Sequence, residues 1–526
     1  MLISILLRRP RVALTLLCLV LWTPGFFTLP PGDRDESRFV QATKQMLETG
    51  DFVRIMNGTE ARNRKPIAIY WLQVPFVAAA RAAGLAQDNP VWPYRIPSAL
   101  GAWAAVLATF AAGITLFDRR TALLGAGMLA ACAVLVAEVH IAKTDAALLG
   151  ATTTAMAVLA RAAAGPISRR AAAVFWLALG TAVLLKGPIG PMVVGLAALA
   201  LSIGDRRARW LMTLRPGWGV PAMLALVMPW FIAIGIATEG RFFADAVGGD
   251  LGRKLSSGDD AHGAWPGLHA LLAPALLFPT TAALPGALLL AWRQRTTPAI
   301  RFLLAWVVPA WIVFELVPTK LPHYTLPLYP ALCLLGAAAL IQVMAQALPR
   351  AARALAIALP ALVGTGLAVV AAAVPMALGG PPFVPGLVLV GAGTVLAVLA
   401  RTPGRMAVAI AGSVLIYGAV LGYELPHLRP LWLAPSVVAA LPPGTTLGAV
   451  GFAEPSLMFL AGTGTRWLDA AGAARALADG SVGALVVGDR DLDTVLAATG
   501  PLRTLATIPG YNISRGRHVT LTVLAR

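Results

Sequence analysis

Residues 354–400 read ALAIALPALVGTGLAVVAAAVPMALGGPPFVPGLVLVGAGTVLAVLA, and no charged side chain interrupts them. A helix that crosses the hydrocarbon core of a bilayer needs about 20 mostly apolar residues. The stretch is therefore long enough for two crossings, and the Gly-Gly-Pro-Pro at 379–382 marks the break between them. Because lipid offers no hydrogen-bond partner to a backbone amide, we expect both crossings to be helical.

The composition of the whole chain agrees with a membrane protein. Of its 526 residues, 58% are apolar and 13% are charged, and the mean hydropathy is +0.76. An average soluble domain is about half apolar and a quarter charged. These values exclude a disordered chain, a collagen-like fibre and an ordinary soluble enzyme. We attribute the net charge of +18 to cytoplasmic loops of a membrane protein, not to nucleic-acid binding.

Apolar runs of this kind predict about thirteen transmembrane helices. They lie at 12–32, 96–117, 121–137, 146–160, 171–185, 187–204, 216–238, 263–292, 302–314, 321–349, twice within 354–400, and at 406–423.

The sidedness depends on segment 67–86. If this segment spans, Arg119–Arg120 falls outside and every later basic cluster is inverted. If it lies on the membrane surface, all the basic clusters face the cytoplasm. The positive-inside rule favours the second arrangement, with the N-terminus inside and the C-terminus outside.

The resulting organisation has two parts. Residues 1–428 form the membrane domain, including a first outer loop at 30–94, and residues 429–526 form a small extracytoplasmic domain. Short apolar strands alternate with helical stretches in the tail, which predicts an α/β fold. The high alanine, glycine and arginine content is typical of a GC-rich bacterium, so we expect an inner-membrane protein whose outer side is the periplasm.

Charged residues collect on this predicted outer side. The first outer loop is the most charged part of the chain, and Asp35–Glu48 has the pattern of an interfacial helix. Ionisable residues near membrane depth usually line a cavity or a pathway, so we expect one pocket built from several links. Its cations suit the phosphate of an isoprenoid-linked sugar. The other charged members near spans are Glu138, His140, Lys143, Asp145, Lys186, Lys320 and His323, with His262 in the loop 239–266.

Several motifs, in chain order, resemble the GT-C membrane glycosyltransferases. The similarity is to the branch of the lipid A aminoarabinose transferase, which is related to protein O-mannosyltransferases, and it covers nearly the whole chain. It implies transfer of a sugar from a polyprenyl phosphate to a lipid A, envelope-glycan or protein acceptor, with inversion. The motifs are DRDESRFVQATKQMLETGDFV (33–53), RKPIAIYWLQ (64–73), KTDAALL (143–149), KGPIGP (186–191), HGAWPG (262–267) and TKLPHYTLPLYPAL (319–332).

The resemblance also implies roles for individual residues. Asp35 matches the expected catalytic carboxylate, and Glu36 is the rival beside it. Arg38 and Lys65 match residues expected at a substrate phosphate, and Tyr324 matches the tyrosine of the KLPHY-type motif. The charge of the leaving phosphate would be met by Arg38 and Lys65, with Arg64, Lys186 and Lys320 as further substrate-binding candidates.

One departure concerns a metal. Relatives often carry Glu immediately before the Lys-Pro pair, where this chain has Arg64, and metal ligation in that branch draws on this Glu. Arginine has no lone pair to offer a metal. Asp145, which also matches a substrate-site acid, and His262 remain as candidate ligands for a divalent cation. The sequence predicts no nucleotide site, because it has neither a GxGxxG motif nor a P-loop.

Two points stay open at the level of sequence. Asp35 would act as general base toward a hydroxyl acceptor, or would orient an acceptor phosphate that is already ionised. A transporter or flippase of a lipid-linked or anionic substrate is the alternative function, and a receptor or scaffold is a third class. We expect a monomer in contact with membrane lipids.

Overall fold

A computed structural model describes residues 8–85, 89–252, 263–342 and 348–526 and shows a mostly helical chain. Every predicted span has a helix, or a pair of helices, at its place. The helices of the membrane domain are α1 (Pro10–Trp22), α2 (Asp35–Thr49), α3 (Ala68–Ala82), α4 (Trp92–Leu116), α5 (Arg119–Ala131), α6 (Ala133–Val139), α7 (Thr144–Ala164), α8 (Arg169–Lys186), α9 (Ile189–Asp205), α10 (Pro216–Ala237), α11 (Leu268–Leu276), α12 (Leu284–Arg293), α13 (Pro298–Leu316), α14 (Tyr329–Gln342), α15 (Arg350–Ala377), α16 (Val384–Leu399) and α17 (Pro403–Tyr417).

Seven helices of the described residues are long and apolar enough to cross a membrane, or nine if each of two bent pairs is one span. The apolar helices α1, α9 and α16 are shorter. The chain is therefore a multi-pass membrane protein, and the count of thirteen crossings stays a prediction.

Two of the predicted spans are not straight helices. The helices α5 and α6 meet at 59°, and the run at 263–292 forms α11 and α12 with a bend of 118°. Pro274 and Pro279 lie at the larger bend, where each lacks a backbone donor. The two breaks contact each other, because the Ala133 amide donates to the Phe278 carbonyl at 2.9 Å.

The predicted surface segment forms the short helix α3. Its 15 residues fall below the length of a span. Trp71 and Leu72 on this helix are both exposed, whereas Tyr70 is buried. The helix is therefore too short to cross the bilayer by itself, and its position on the membrane surface stays a prediction.

Close packing of α4 against α7 positions one end of the site. A side chain on Gly150 would approach the Gly101 carbonyl oxygen to 2.4 Å, so both glycines are required for the two backbones to meet. This contact lies one turn beyond Asp145, which is at the start of α7. The approach of the two helices therefore fixes where Asp145 lies.

The tail forms the predicted α/β fold around one sheet of five strands. The short strands β1 (Met56–Asn57) and β2 (Glu60–Ala61) form a hairpin in the first outer loop, and the elements of the tail are α18 (Leu433–Ala439), β3 (Leu447–Val450), α19 (Pro455–Ala461), β4 (Arg466–Trp467), α20 (Ala470–Ala478), β5 (Ala484–Gly488), α21 (Leu492–Thr499), β6 (Arg503–Asn512) and β7 (Arg517–Ala525). The strand order of the tail sheet is β4–β3–β5–β7–β6, with β3 parallel to β4 and β5, and with β7 antiparallel to β5 and β6. The sequence predicts all the elements of the tail except α18 and β4, while the boundary at 428/429 stays a prediction.

This tail domain packs on the first outer loop through α19, which lies against α2. The Lys44 ammonium donates to the Phe459 carbonyl at 2.9 Å, and the Gln41 amide donates to the Thr463 hydroxyl at 2.9 Å. Just before α2, Asp33 accepts a hydrogen bond from Ser456, and Arg34 donates to the Ser514 carbonyl. The start of α2 is thus held from two sides, by the bundle and by the tail domain.

Candidate active site

The site begins where α2 begins. Asp35 and Glu36 lie in the first helical turn, where negative charge is favoured by the helix dipole. Arg34 precedes them with φ of 63°, a conformation that is uncommon for a residue with a side chain. Gly50, with φ of 73°, ends the helix in the left-handed conformation. The Asp35 carboxylate is exposed, and the Glu36 carboxylate is buried.

Both oxygens of the Glu36 carboxylate are engaged. Arg95 donates to Oε1 from Nε at 2.8 Å and to Oε2 from Nη2 at 3.0 Å. The Gly32 amide donates to Oε2 and the Ala142 amide to Oε1, each at 2.8 Å. Four such bonds to one carboxylate indicate a residue that joins α2, α4 and the link before α7, and this leaves Asp35 as the better candidate for the acid at the reaction centre.

Asp35 acts on Arg38, and Arg38 lies within electrostatic range of three further arginines, Arg34, Arg62 and Arg64. Arg38 and Lys65 are half-buried and Arg64 is exposed. The Arg62 guanidinium lies over the Phe39 ring, 4.5 Å from its centroid. Burial and the neighbouring Arg62 lower the pKa of Arg38, and Asp35 opposes them. Mutual repulsion among these cations favours binding of an anion between them.

A second charged cluster lies where α6 ends, α7 begins and α8 ends. Asp145 forms an ion pair with Lys186, and its Oδ2 lies 3.7 Å from the Lys143 ammonium. The Lys143 ammonium also lies 2.9 Å from Glu138 Oε1. His323 reaches both acids, at 3.6 Å from Glu138 and 3.7 Å from Asp145. Such buried charges near membrane depth are costly, and their mutual pairing is what makes them tolerable.

The two groups of charges approach each other. Asp35 lies within electrostatic range of Lys143 and of His323, which belong to the second cluster. The Lys186 ammonium lies 5.2 Å from the centroid of the Tyr324 ring. Asp35, Asp145, Lys186 and Tyr324 therefore share one region, and a common substrate pocket among them stays a prediction.

Lys320 occupies a different setting. Its buried ammonium donates to the carbonyls of Val317 at 2.7 Å and Ala264 at 3.0 Å. These bonds tie the turn before α14 to the link at 263–264, which also pairs with Thr319. We therefore assign Lys320 to the support of this turn and remove it from the substrate-binding candidates.

The donor set around Asp145 does not fit a divalent metal. Two ammonium groups already lie against its carboxylate, and like charges would repel an added cation. His262, the other candidate ligand, lies outside the described residues. Among the described residues no three histidine, cysteine, aspartate or glutamate side chains are grouped to hold a metal.

The sequence does not point to Arg95 as a site residue, and it places Glu138 and His323 among the charged residues near spans without a role of their own. Arg95 is a lone charge in the apolar segment 91–117, and such a residue needs a buried partner. That rule identifies Arg95 as paired, yet nothing local identifies Glu36 as the partner, since 59 residues separate them. Glu138 and His323 come together only because α6 and the turn before α14 meet in the fold.

The fold and the charged outer region define the class of the chain: a multi-pass membrane protein with the GT-C fold. The structure superimposes on ArnT from Cupriavidus metallidurans bound to undecaprenyl phosphate with a TM-score of 0.79, covering 97% of both chains at 20% identity. Residues 7–240 match the family described as dolichyl-phosphate-mannose-protein mannosyltransferase. The resemblance inferred from the motifs is confirmed.

Several curated proteins that share the same name are similar to this chain. The undecaprenyl phosphate-alpha-4-amino-4-deoxy-L-arabinose arabinosyl transferase of Pseudomonas paraeruginosa is 30% identical over 323 residues, which are 60% of this chain and 56% of that protein. The protein of the same name from Erwinia tasmaniensis is 29% identical over 310 residues, covering 57% and 54%. The matched part of this chain spans about half the length of these relatives.

Proposed function

We propose that the chain is an inverting glycosyltransferase that moves a sugar from a polyprenyl phosphate to an acceptor at the outer face of the membrane. The observation that carries the proposal is the exposed Asp35 beside the half-buried Arg38, at the start of an interfacial helix. An acid and cations at headgroup level suit a sugar joined to a lipid phosphate. The names of the relatives, and the undecaprenyl phosphate held by the similar structure, support this donor class.

On the donor side, the reaction breaks the bond between the anomeric carbon and a phosphate oxygen. The leaving polyprenyl phosphate gains charge as this bond breaks, so it needs cations more than it needs a proton. Arg38 and Lys65 are assigned to that phosphate, with Arg64 at the exposed edge. Lys186 and Tyr324 are assigned to the sugar side of the pocket, where Asp145 holds the Lys186 ammonium in place.

On the acceptor side, Asp35 faces the anomeric carbon opposite the leaving phosphate. If the acceptor is a hydroxyl, Asp35 removes its proton as general base. If the acceptor is a phosphate of lipid A, it is already ionised, and Asp35 orients it or stabilises positive charge on the sugar. The names of the relatives favour lipid A as acceptor. Envelope glycans and proteins are the other acceptors to test.

We further propose that the chain works as a monomer in a bacterial inner membrane with the pocket and the tail domain in the periplasm. The distribution of basic clusters supports this orientation, because it leaves the arginine-rich links between spans on the cytoplasmic side. A lipid-linked donor is available at that face without any nucleotide.

The test is Asp35→Asn in membranes of a strain that lacks the native gene. Mass spectrometry of lipid A, envelope glycans and membrane proteins first identifies the product that the deletion removes. Transfer of radiolabelled sugar from undecaprenyl phosphate to that acceptor is then measured. We expect the variant to lose about 100-fold or more of the transfer rate at normal expression, while the exposed Glu60→Gln in the same loop keeps it.

Unchanged transfer by Asp35→Asn would reject the assignment of Asp35. Uptake of the labelled lipid-linked sugar into sealed vesicles, measured in parallel, distinguishes the transporter. Uptake that persists in Asp35→Asn, with no transfer by the wild-type chain, would replace the enzyme by the transporter.

A further inference from the structure

Two buried polar groups beside the site have no hydrogen-bond partner in the described part of the chain. They are the Arg62 guanidinium, through Nε and Nη1, and the Tyr70 hydroxyl. Most buried polar groups in proteins are paired, so an unpaired one requires an explanation. Here one of the two belongs to a charged group, because Arg62 is half-buried and its Nε and Nη1 are enclosed without a partner.

Both groups lie against the same ring. The Arg62 guanidinium is 4.5 Å from the centroid of Phe39, and the ring centroids of Phe39 and Tyr70 are 5.5 Å apart. Phe39 follows Arg38 on α2, so the unpaired groups adjoin the turn that carries Asp35 and Arg38. Arg62 and Asp35 are the charged groups that act on the Tyr70 hydroxyl.

The loop that carries Arg62 is anchored. The Arg62 amide donates to the Ile55 carbonyl at 2.7 Å, and the Asn63 side chain donates to Asp245 at 2.9 Å. Arg62 follows directly on the two-strand hairpin at 56–61. Because the loop and the stacking on Phe39 fix the guanidinium, its unpaired nitrogens are preorganised for a ligand.

The charge count points to more than one anion. A sugar phosphodiester carries one negative charge and Asp35 beside it carries a second, and Arg38 and Lys65, which are assigned to the donor, supply two positive charges toward them. Arg62 and Arg64 add two more. Burial raises the pKa of the Tyr70 hydroxyl to about 12, so at neutral pH this group keeps its proton and is able to donate.

We propose that Arg62 and Tyr70 form a second anion subsite, which binds a carboxylate or phosphate group other than the donor phosphate. The inference rests on the proposed function, since it assigns Arg38 and Lys65 to the donor. The anionic group is carried either by the transferred sugar, as in a uronic acid, or by the acceptor, as in a phosphorylated lipid. Arg62 supplies charge and three N–H donors, one on Nε and two on Nη1, and Tyr70 supplies one O–H donor.

The test uses the full chain in lipid nanodiscs, with undecaprenyl phosphate added to saturation as the first probe. Binding of a second probe is then measured at constant ionic strength, with glucuronate in one arm and a lipid A preparation in the other. We expect Arg62→Gln and Tyr70→Phe each to weaken the second binding by about 10-fold or more. Arg62→Lys is expected to lose less than Arg62→Gln, because it keeps the charge.

The matched control is Arg54→Gln, which removes an exposed arginine of the same loop. It should leave both bindings within about 2-fold, and undecaprenyl phosphate itself should bind Arg62→Gln within about 3-fold of wild type. Binding of glucuronate assigns the anion to the sugar, and binding of lipid A assigns it to the acceptor; either result supports the subsite.

Three results would overturn the subsite. They are the absence of any second binding, an equal loss in Arg54→Gln, and a loss of undecaprenyl phosphate binding in Arg62→Gln as large as the loss of the second probe. Failure of the wild-type chain to bind undecaprenyl phosphate would instead count against the proposed function, so the two failures are distinguishable. Size-exclusion profiles in nanodiscs confirm that each variant is folded before binding is measured.

Discussion

Asp35 and Glu36 are adjacent in the chain and meet opposite environments. Consecutive residues of a helix point about 100° apart, so one carboxylate faces outward and the other faces the bundle. The inward one finds Arg95 and two backbone amides. Sequence motifs place both acids at the site, and only the direction of each side chain separates a structural acid from a candidate catalytic one.

This difference predicts the behaviour of Glu36→Gln. Removing the carboxylate charge leaves the Arg95 guanidinium buried without its counter-ion, which costs about 3–5 kcal/mol. We expect a clear fall in the thermal unfolding temperature of the purified protein. Tryptophan fluorescence in detergent measures this temperature. Activity per folded molecule should fall much less than in Asp35→Asn. An unfolding temperature equal to that of Glu60→Gln would show that the Arg95 pair is not structural.

The helix α2, which carries Asp35, packs against α19 of the tail domain. Phe459 of α19 is fully buried. Its ring packs edge-on to Tyr94 with centroids 5.4 Å apart, and it contacts the apolar cluster that includes Val40 and Val77. The tail domain is therefore part of the scaffold that positions Asp35.

Phe459→Ala tests this coupling. The cavity left by the ring is expected to destabilise the protein by about 3–5 kcal/mol. Because a small displacement of a catalytic group costs much of the rate, we expect kcat to fall about 10-fold or more while undecaprenyl phosphate binds nearly as in wild type. The control is Ile513→Ala, since Ile513 is 52% exposed. A normal kcat in folded Phe459→Ala would uncouple the tail domain from the site.

Asp33, at the same contact, predicts a pH dependence. Burial raises its pKa from 3.8 to about 6, against the hydrogen bond from Ser456. Between about pH 4 and pH 6 the folded protein holds this proton and the unfolded chain releases it. Stability from this group is therefore present at low pH and is lost as the pH rises through 6.

The comparison is with Asp33→Asn, which cannot titrate. We expect the unfolding temperature of wild type, relative to Asp33→Asn, to fall from pH 4 to pH 6.5 and then to level off. Because Asp33 is only half-buried, its pH-dependent contribution to the free energy of unfolding is limited to about 1–2 kcal/mol. A difference that is constant over this range, or that rises with pH, would contradict the burial of Asp33 against α19.

At the scale of the whole molecule, the predicted topology makes the first outer loop and the tail accessible from outside. The three native cysteines, Cys18, Cys132 and Cys333, are buried. Labelling of a single introduced cysteine by a thiol reagent is therefore measured with little contribution from the native ones. We expect a membrane-impermeant thiol reagent to label Thr59→Cys in spheroplasts and to spare Arg207→Cys until the membrane is opened. Both positions are exposed in the structure. The reverse pattern would place Asp35 in the cytoplasm.

Patterns among neighbouring residues are enough to predict most helices and strands of the fold. Charge-free runs predict the positions of the membrane helices, and alternation with turn residues predicts the strands and helices of the tail, because both depend on neighbours within one or two turns. The sequence predicts one straight span at 263–292 and does not predict the bend of 118° within it. A proline in an apolar run does not by itself show how far the chain turns.

Hydropathy and periodicity are properties of consecutive residues, so the amino-acid sequence alone is enough to predict a multi-pass membrane chain, a charged loop with an acid-rich helix, and an α/β tail. Which of the charged side chains meet depends on how the helices and the tail domain pack in three dimensions. Glu36 pairs with Arg95, Asp33 pairs with Ser456 across 423 positions, and Lys320 binds carbonyls and is not among the pocket cations. The physical reason is that electrostatic energy depends on distance and burial in space, and chain separation specifies neither.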